Sequence, residues 1–173
     1  MNEPAPTVVV VGASAGGIEA LTTLAAGFPA DLEAVVCVVL HLSPGSESRL
    51  ADVISRAGPL PAAQARDGEA LVGGRILVAP PDRHLILRGR NAVVVRGPHE
   101  NGLRPAIDPL FRSAAVAYGS RAVAVVLSGT RDDGVAGASA VGARGGCVFV
   151  QDPEDSLFPG LPAQTVSRDH PER

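Results

Sequence analysis

The stretch Thr7-Val8-Val9-Val10-Val11-Gly12-Ala13-Ser14-Ala15-Gly16-Gly17 decides the fold class. Successive side chains of a strand point to opposite faces of a sheet, so a run of valines is apolar on both sides. Residues 7–11 therefore predict a strand buried on both faces, as in a parallel sheet covered by helices. The following Gly12-Ala13-Ser14-Ala15-Gly16 has the Gly-x-Ser-x-Gly pattern, a tight strand-to-helix turn in which the glycines relieve crowding around a serine. Residues 16–26 then place Ile18, Leu21 and Leu24 near helical spacing and stop at Gly27-Phe28-Pro29, a Gly/Pro termination signal.

Outward from this unit, residues 34–40 repeat the apolar run and end at His41. Residues 46–57 follow as a helix with Leu50, Val53 and Ile54 on one face, closed by Gly58-Pro59. Two strand–helix alternations predict a parallel sheet with crossover helices, because parallel neighbours cannot be joined by a tight turn. Residues 75–79, 84–88 and 92–96 read as short strands, with Gly89-Arg90-Asn91 as a hairpin connection, and together as an antiparallel insertion or sheet edge. Alternation returns with a helix over 109–118, a strand over 122–127, a loop over 128–134, a helix over 135–144 and a strand over 147–150. The tail after Gln151 reads as loop, with at most a short helix after Pro162. The expected class is α/β: a doubly wound, mainly parallel sheet with flanking helices, Rossmann-like in three layers, carrying an antiparallel hairpin insertion, in one domain over 1–173.

Composition narrows the function. Fifteen basic against 18 acidic residues give a net charge of −3, which argues against a nucleic-acid backbone binder. Aromatics are 3% of the 173 residues, too few for a base-stacking platform. The longest apolar run, 34–40, is far below the roughly 18 residues needed to span a bilayer, and the N-terminus lacks a secretory signal; a cytoplasmic protein without membrane insertion is expected. Cys37 and Cys147 each sit in an apolar run and read as small buried hydrophobes, since a metal site needs a cluster of ligands and neither stands in one.

In open α/β sheets ligands bind beyond the carboxyl ends of the strands, and three such ends carry chemistry. The Ser14 hydroxyl would project at the mouth of a helix, where free N–H groups, including that of Ala15, can stabilise an oxyanion; phosphate binding or a plain helix start is the competing reading. His41 ends the second strand, placed to take the serine proton, or to serve as a hydrogen-bonded structural residue. Ser128-Gly129-Thr130-Arg131-Asp132-Asp133-Gly134 ends a later strand, and Asp132 or Asp133 could orient the imidazole or cap the next helix. Ser, His and Asp supplied by three strand ends at one sheet edge weigh more than any of them singly. A dinucleotide fingerprint fails at Ser14, where its second glycine belongs, and at His41, where an acidic ribose ligand belongs. The α/β-hydrolase order Ser, acid, His also fails, since here the order is Ser, His, Asp.

Further motifs extend along the chain: Leu-His-Leu-Ser-Pro at 40–44, Asp-Gly-Glu at 67–69, Val-Ala-Pro-Pro-Asp-Arg-His-Leu at 78–85, Arg-Pro-Ala-Ile-Asp-Pro-Leu-Phe-Arg-Ser-Ala-Ala at 104–115, Val-Leu-Ser-Gly-Thr-Arg-Asp-Asp-Gly at 126–134 and Gln-Asp-Pro at 151–153. With Val-Val-Val-Gly-Ala-Ser-Ala-Gly-Gly at 9–17, they resemble the catalytic domain of the chemotaxis protein-glutamate methylesterases, the CheB family. The resemblance implies Ser14 as nucleophile, His41 as base, Asp133 rather than Asp132 as the acid, and the backbone N–H groups of Ala15 and Thr130 as oxyanion donors. It implies hydrolysis of γ-glutamyl methyl esters on a chemoreceptor-like protein, and deamidation of glutamines, by a scheme that requires no metal or organic cofactor. A receiver-domain protein or a methyltransferase is the further partner it suggests. It also implies that 1–173 holds the catalytic domain without the family's receiver domain and stops one helix and strand early. A non-catalytic signalling module with the same fold is the alternative, and a small-molecule esterase a third reading. His84, His99 and His170 are expected to be structural or solvated, and Arg104 to orient an acidic peptide or form a structural ion pair.

Overall fold

The computed structural model describes residues 7–41 and 49–168. In chain order its elements are β1 (Val8–Ala13), α1 (Gly17–Ala26), β2 (Val35–Leu40), α2 (Leu50–Ala57), β3 (Ala62–Gln64), β4 (Arg75–Val78), β5 (His84–Arg88), β6 (Asn91–Val95), α3 (Ile107–Tyr118), β7 (Ala122–Val126), α4 (Val135–Ala143), β8 (Cys147–Val150) and α5 (Gly160–Arg168). Six strands pair in parallel in the order β3-β4-β2-β1-β7-β8, while β5 and β6 form a separate antiparallel hairpin.

The valine runs act through their period of two. Val8, Val10, Val35, Cys37, Val39, Ala124 and Val126 join the core beneath α3, α4 and the hairpin, whereas Val11, Ala13, Val36, Val38 and Leu40 join the core beneath α1 and α2. Burying such side chains stabilises the fold by about 1.5–3 kcal/mol each, which is why the central strands tolerate no polar face. The three expected layers are present.

The expected grouping of 75–79 with the hairpin is corrected. β4 lies inside the main sheet between β2 and β3, because Ile76, Leu77 and Val78 are all buried and supply both cores. The edge strand β3, Ala62-Ala63-Gln64, carries no β-branched residue and offered no strand signal. On α1 the buried line is Gly17, Leu21 and Ala25, an i, i+4 row, so Ile18 projects outward and is 50% exposed. On α2, Leu50, Ala51 and Ile54 are buried and Val53 faces solvent; the expected helix start at 46 lies outside the described residues. α5 is a nine-residue helix beginning at Gly160, longer than the sequence suggested. No described helix is long and apolar enough to cross a membrane.

The two cysteines part company. Cys37 is buried in the central strand β2, and burial pushes its thiol up to about 12. Cys147, expected to be buried, is exposed, as is Phe149 two residues on, on the same face of the outer strand β8, while Val148 between them is buried. Thiol alkylation at neutral pH, followed by mass spectrometry of the peptides, is expected to modify Cys147 in the native protein and Cys37 only after denaturation, since the reactive species is an accessible thiolate.

Candidate active site

The sheet grows from β1 through β2 and β4 on one side and adds β7 and β8 on the other, so its topological switch point lies between β1 and β7. A crevice at the carboxyl ends is expected there. The two loops are stitched together: the Leu127 N–H donates to the Gly12 carbonyl at 2.9 Å and the Ser14 N–H to the Ser128 carbonyl at 2.9 Å. His41 follows β2, and its own N–H donates to the Ala13 carbonyl at 3.2 Å. Three separate strand ends thus converge.

Ser14 Oγ lies 2.9 Å from His41 Nδ1, and His41 Nε2 lies 2.7 Å from Asp133 Oδ2. An ionised carboxylate only accepts, so in the neutral ring Nε2 carries the proton and Nδ1 is left to accept the Ser14 hydroxyl. Asp133 is buried, and each of its oxygens accepts twice. Oδ2 receives the His41 ring and the Ile107 N–H at 2.7 Å, and Oδ1 the Asn101 amide at 2.9 Å and the Asp108 N–H at 3.1 Å. Burial pushes the carboxyl up, but the His41 ring, the Ile107 N–H, the Asn101 amide and the Asp108 N–H outweigh it and hold Asp133 below its ordinary value. Asp132 is exposed and takes no part.

The capping reading of Asp133 is also resolved, in a form the sequence did not offer. Asp133 sits at the N-terminus of α3, receiving the N–H groups of Ile107 and Asp108. Asp108, from the first turn of α3, caps α4 instead, with Oδ1 accepting from Gly134 at 3.0 Å and Gly137 at 2.7 Å. Each carboxylate satisfies orphan N–H groups of the other's helix and meets the positive end of its dipole. This reciprocal arrangement, with Asn101 beside it, was missed because it joins residues 25 or more apart in sequence.

Around the serine, Gly16 has φ +71°, and a side chain there would press on Ser128 Oγ, Phe158 and Leu157. The Ser128 hydroxyl donates to the Ala15 carbonyl at 2.7 Å and accepts from the Phe158 N–H at 3.0 Å, fixing the turn to the segment before α5. Among the described residues, neither the Ala15 nor the Thr130 N–H meets a protein acceptor. Gly129 is the close approach: a Cβ there would stand 3.0 Å from the Ser14 Cβ and 3.1 Å from Leu161. Gly129→Ala is therefore expected to destabilise the fold by about 1–3 kcal/mol and, by displacing Ser14, to slow its reaction with a serine-directed fluorophosphonate about tenfold or more. Thermal unfolding and labelling rates check the two effects separately.

The remaining expectations divide. His84 is buried and structural, its Nε2–H donating to the Pro98 carbonyl at 2.8 Å while Nδ1 accepts the Ala106 N–H at 3.2 Å. His99 is exposed, and His170 lies outside the described residues. Arg104 forms the structural pair: its guanidinium donates to Asp82 at 2.7 Å and to the Gly97 carbonyl at 2.7 Å. A groove of ~440 Å³ between α1 and β8 includes Gly16 and Ser128 in its lining but none of Ser14, His41 and Asp133. No cluster of three metal-ligating side chains occurs among the described residues.

Residues 9–172 match the sequence profile of the CheB methylesterase family. The chain belongs to the CheB methylesterase family. It is 41% identical over 162 residues to protein-glutamate methylesterase/protein-glutamine glutaminase 4 of Myxococcus xanthus, covering 93% of this chain and 46% of that protein. It is 44% identical over 161 residues to enzyme 3 of the same name from Anaeromyxobacter dehalogenans, covering 92% of this chain and 47% of that one. The chain thus spans about half the length of the curated relatives it matches. Among solved structures, the Thermotoga maritima CheB methylesterase catalytic domain superposes with a TM-score of 0.90 at 32% identity, covering 95% of this chain and 89% of that one. The shared CheB fold accounts for both the parallel sheet and the separate hairpin.

Proposed function

We propose that the protein is a serine hydrolase that demethylates γ-glutamyl methyl esters on a chemoreceptor-like protein, with residues 1–173 acting as one catalytic domain. The observation that carries this reading is the unbroken hydrogen-bond chain from Ser14 Oγ through the His41 ring to the buried Asp133 carboxylate, at 2.9 and 2.7 Å. Ser14 Oγ attacks the ester carbonyl as His41 Nδ1 takes its proton, and Asp133 stabilises the imidazolium that forms. The N–H groups of Ala15 and Thr130 receive the developing oxyanion. Collapse of the tetrahedral intermediate expels methanol, which leaves with the proton from Nδ1. Water, deprotonated at the same nitrogen, then cleaves the acyl-enzyme and releases glutamate with free Ser14. Ammonia in place of methanol gives glutamine deamidation by the same steps.

The names of the relatives support this substrate class, and in the same reading the protein works in the cytoplasm beside a receiver-domain protein or a methyltransferase. The direct test is methanol release from a receptor-derived helical peptide carrying a γ-glutamyl methyl ester. Release well above the buffer rate is expected, with little turnover of simple methyl esters. Binding of the peptide with no methanol above the buffer rate overturns the reading in favour of a non-catalytic module.

A further inference from the structure

Two buried carboxylates stand side by side at the N-termini of α3 and α4, and one side chain joins them. Asn101 Nδ2 donates to Asp133 Oδ1 at 2.9 Å and to Asp108 Oδ2 at 2.9 Å. An amide NH2 has two hydrogens, so Asn101 spends one on each acid. Among the described residues it is the one hydrogen-bond partner of Asp108 Oδ2, Oδ1 being engaged by Gly134 and Gly137.

We propose that Asn101 is a positioning residue for the hydrolytic site: its amide clamps Asp133 so that Oδ2 stays aligned on the His41 ring, and separates the two neighbouring acids so that both fit as acceptors. The clamp comes from outside the sheet. Asn101 and Gly102 form the tip of a tight turn with φ values of 54° and 75°, closed by mutual hydrogen bonds between the backbones of Glu100 and Leu103 at 3.1 and 2.8 Å. Asparagine tolerates this left-handed backbone while offering a donor. The turn is anchored to α3 by the ion pair of Glu100 with Arg112, and the chain beyond it by Arg104 on Asp82.

Burial raises the Asp108 carboxyl and the charge of Asp133 adds to this, against the Gly137 N–H, the Asn101 amide and Arg112. Without the amide, the two acids would face each other with one donor fewer apiece. Among the described residues, the charged and titratable groups around Asp133 are His41 beyond β2 and Asp108 on α3, with Arg112 acting on Asp108 from the same helix. Loss of a donor to Asp133 concentrates its negative charge toward the imidazolium, so the acid limb of the pH–rate profile should move to higher pH.

The proposal rests on Ser14 acting as a nucleophile, so the test separates the two. Asn101→Gly keeps the turn, because glycine accepts the positive φ, and Asn101→Asp keeps the shape while replacing the donor by an acceptor. Ser14 labelling by a fluorophosphonate, which needs no receptor substrate, is expected to slow by up to about hundredfold in Asn101→Gly, the cost of a misaligned catalytic group, and further in Asn101→Asp, with the acid limb displaced upward. Asn101→Gly also gives up two hydrogen bonds to buried carboxylates, so a lower melting temperature is expected, and labelling is compared well below the melting point of each variant. Wild-type labelling rates and an unmoved pH profile in both variants overturn the proposal. If the wild type itself labels no faster than free serine, the nucleophile reading fails. The clamp is then judged by the downfield proton resonance of His41 Nε2–H: a shift or loss in Asn101→Gly supports it, and an unchanged resonance overturns it.

Discussion

Ser14→Ala is expected to lower the turnover number for methanol release by about 10⁶, the order seen when a triad nucleophile is removed. The hydroxyl stands 2.9 Å from a ring nitrogen that the geometry leaves unprotonated, which places it to attack. Its removal also costs little structure. Ser14 is half-buried, the turn is held by its backbone N–H on Ser128, and the variant should unfold within about 1 kcal/mol of the wild type. Methanol assays and denaturant unfolding on the same preparations make the comparison. A variant that folds normally and still turns over the ester at the wild-type rate would remove Ser14 from the chemistry.

Asp133→Asn is expected to cost about 10⁴ in turnover, for a different reason. All four contacts to Asp133 come from donors, so an amide nitrogen at either position meets another donor. If it meets His41 and the Ile107 N–H, the ring proton is driven to Nδ1 and the base that faces Ser14 is lost; if it meets Asn101 and the Asp108 N–H, the Asn101 contact is lost; either way the N-terminus of α3 loses one of its two capping bonds. Two hydrogen bonds to a charged acceptor at about 1.5–3 kcal/mol each make the variant less stable by about 3 kcal/mol or more. Because Asp133 is held below its ordinary value, its share of the stability is fully present above the unfolded-state carboxyl range and is lost as pH falls through the folded value. Urea unfolding across a pH series should therefore show the wild type and Asp133→Asn converging on acidification. Asp108, held above its ordinary value mainly by burial, works in the opposite sense, since taking up a proton relieves its penalty.

The central strands were legible because a valine run satisfies no other environment, and the Gly-x-Ser-x-Gly turn because its glycines and serine follow that run at once. The inner place of β4 was not, since Arg75-Ile76-Leu77-Val78 reads equally as an edge or a centre until its neighbours are known. The exposure of Cys147 was misread for a related reason: an apolar strand is buried only where something covers it. Of the site, Ser14, His41 and the Asp132–Asp133 pair could be found by looking at strand ends, whereas composition and spacing could not choose between the two aspartates.

What the sequence determined by itself is local: which runs form strands, where each ends, and which side chains stand at those ends, all set by side-chain period and turn chemistry within a few residues. Tertiary structure decided the rest. It put Asp133 rather than Asp132 against His41, set Asp108 and Asp133 on each other's helices, and brought Asn101 between them. Those choices depend on the packing of α3 against α4, which fixes distances between residues far apart in the chain. Burial there makes each carboxylate oxygen costly unless a donor reaches it, so the hydrogen-bond pattern follows from the fold and not from any stretch of sequence.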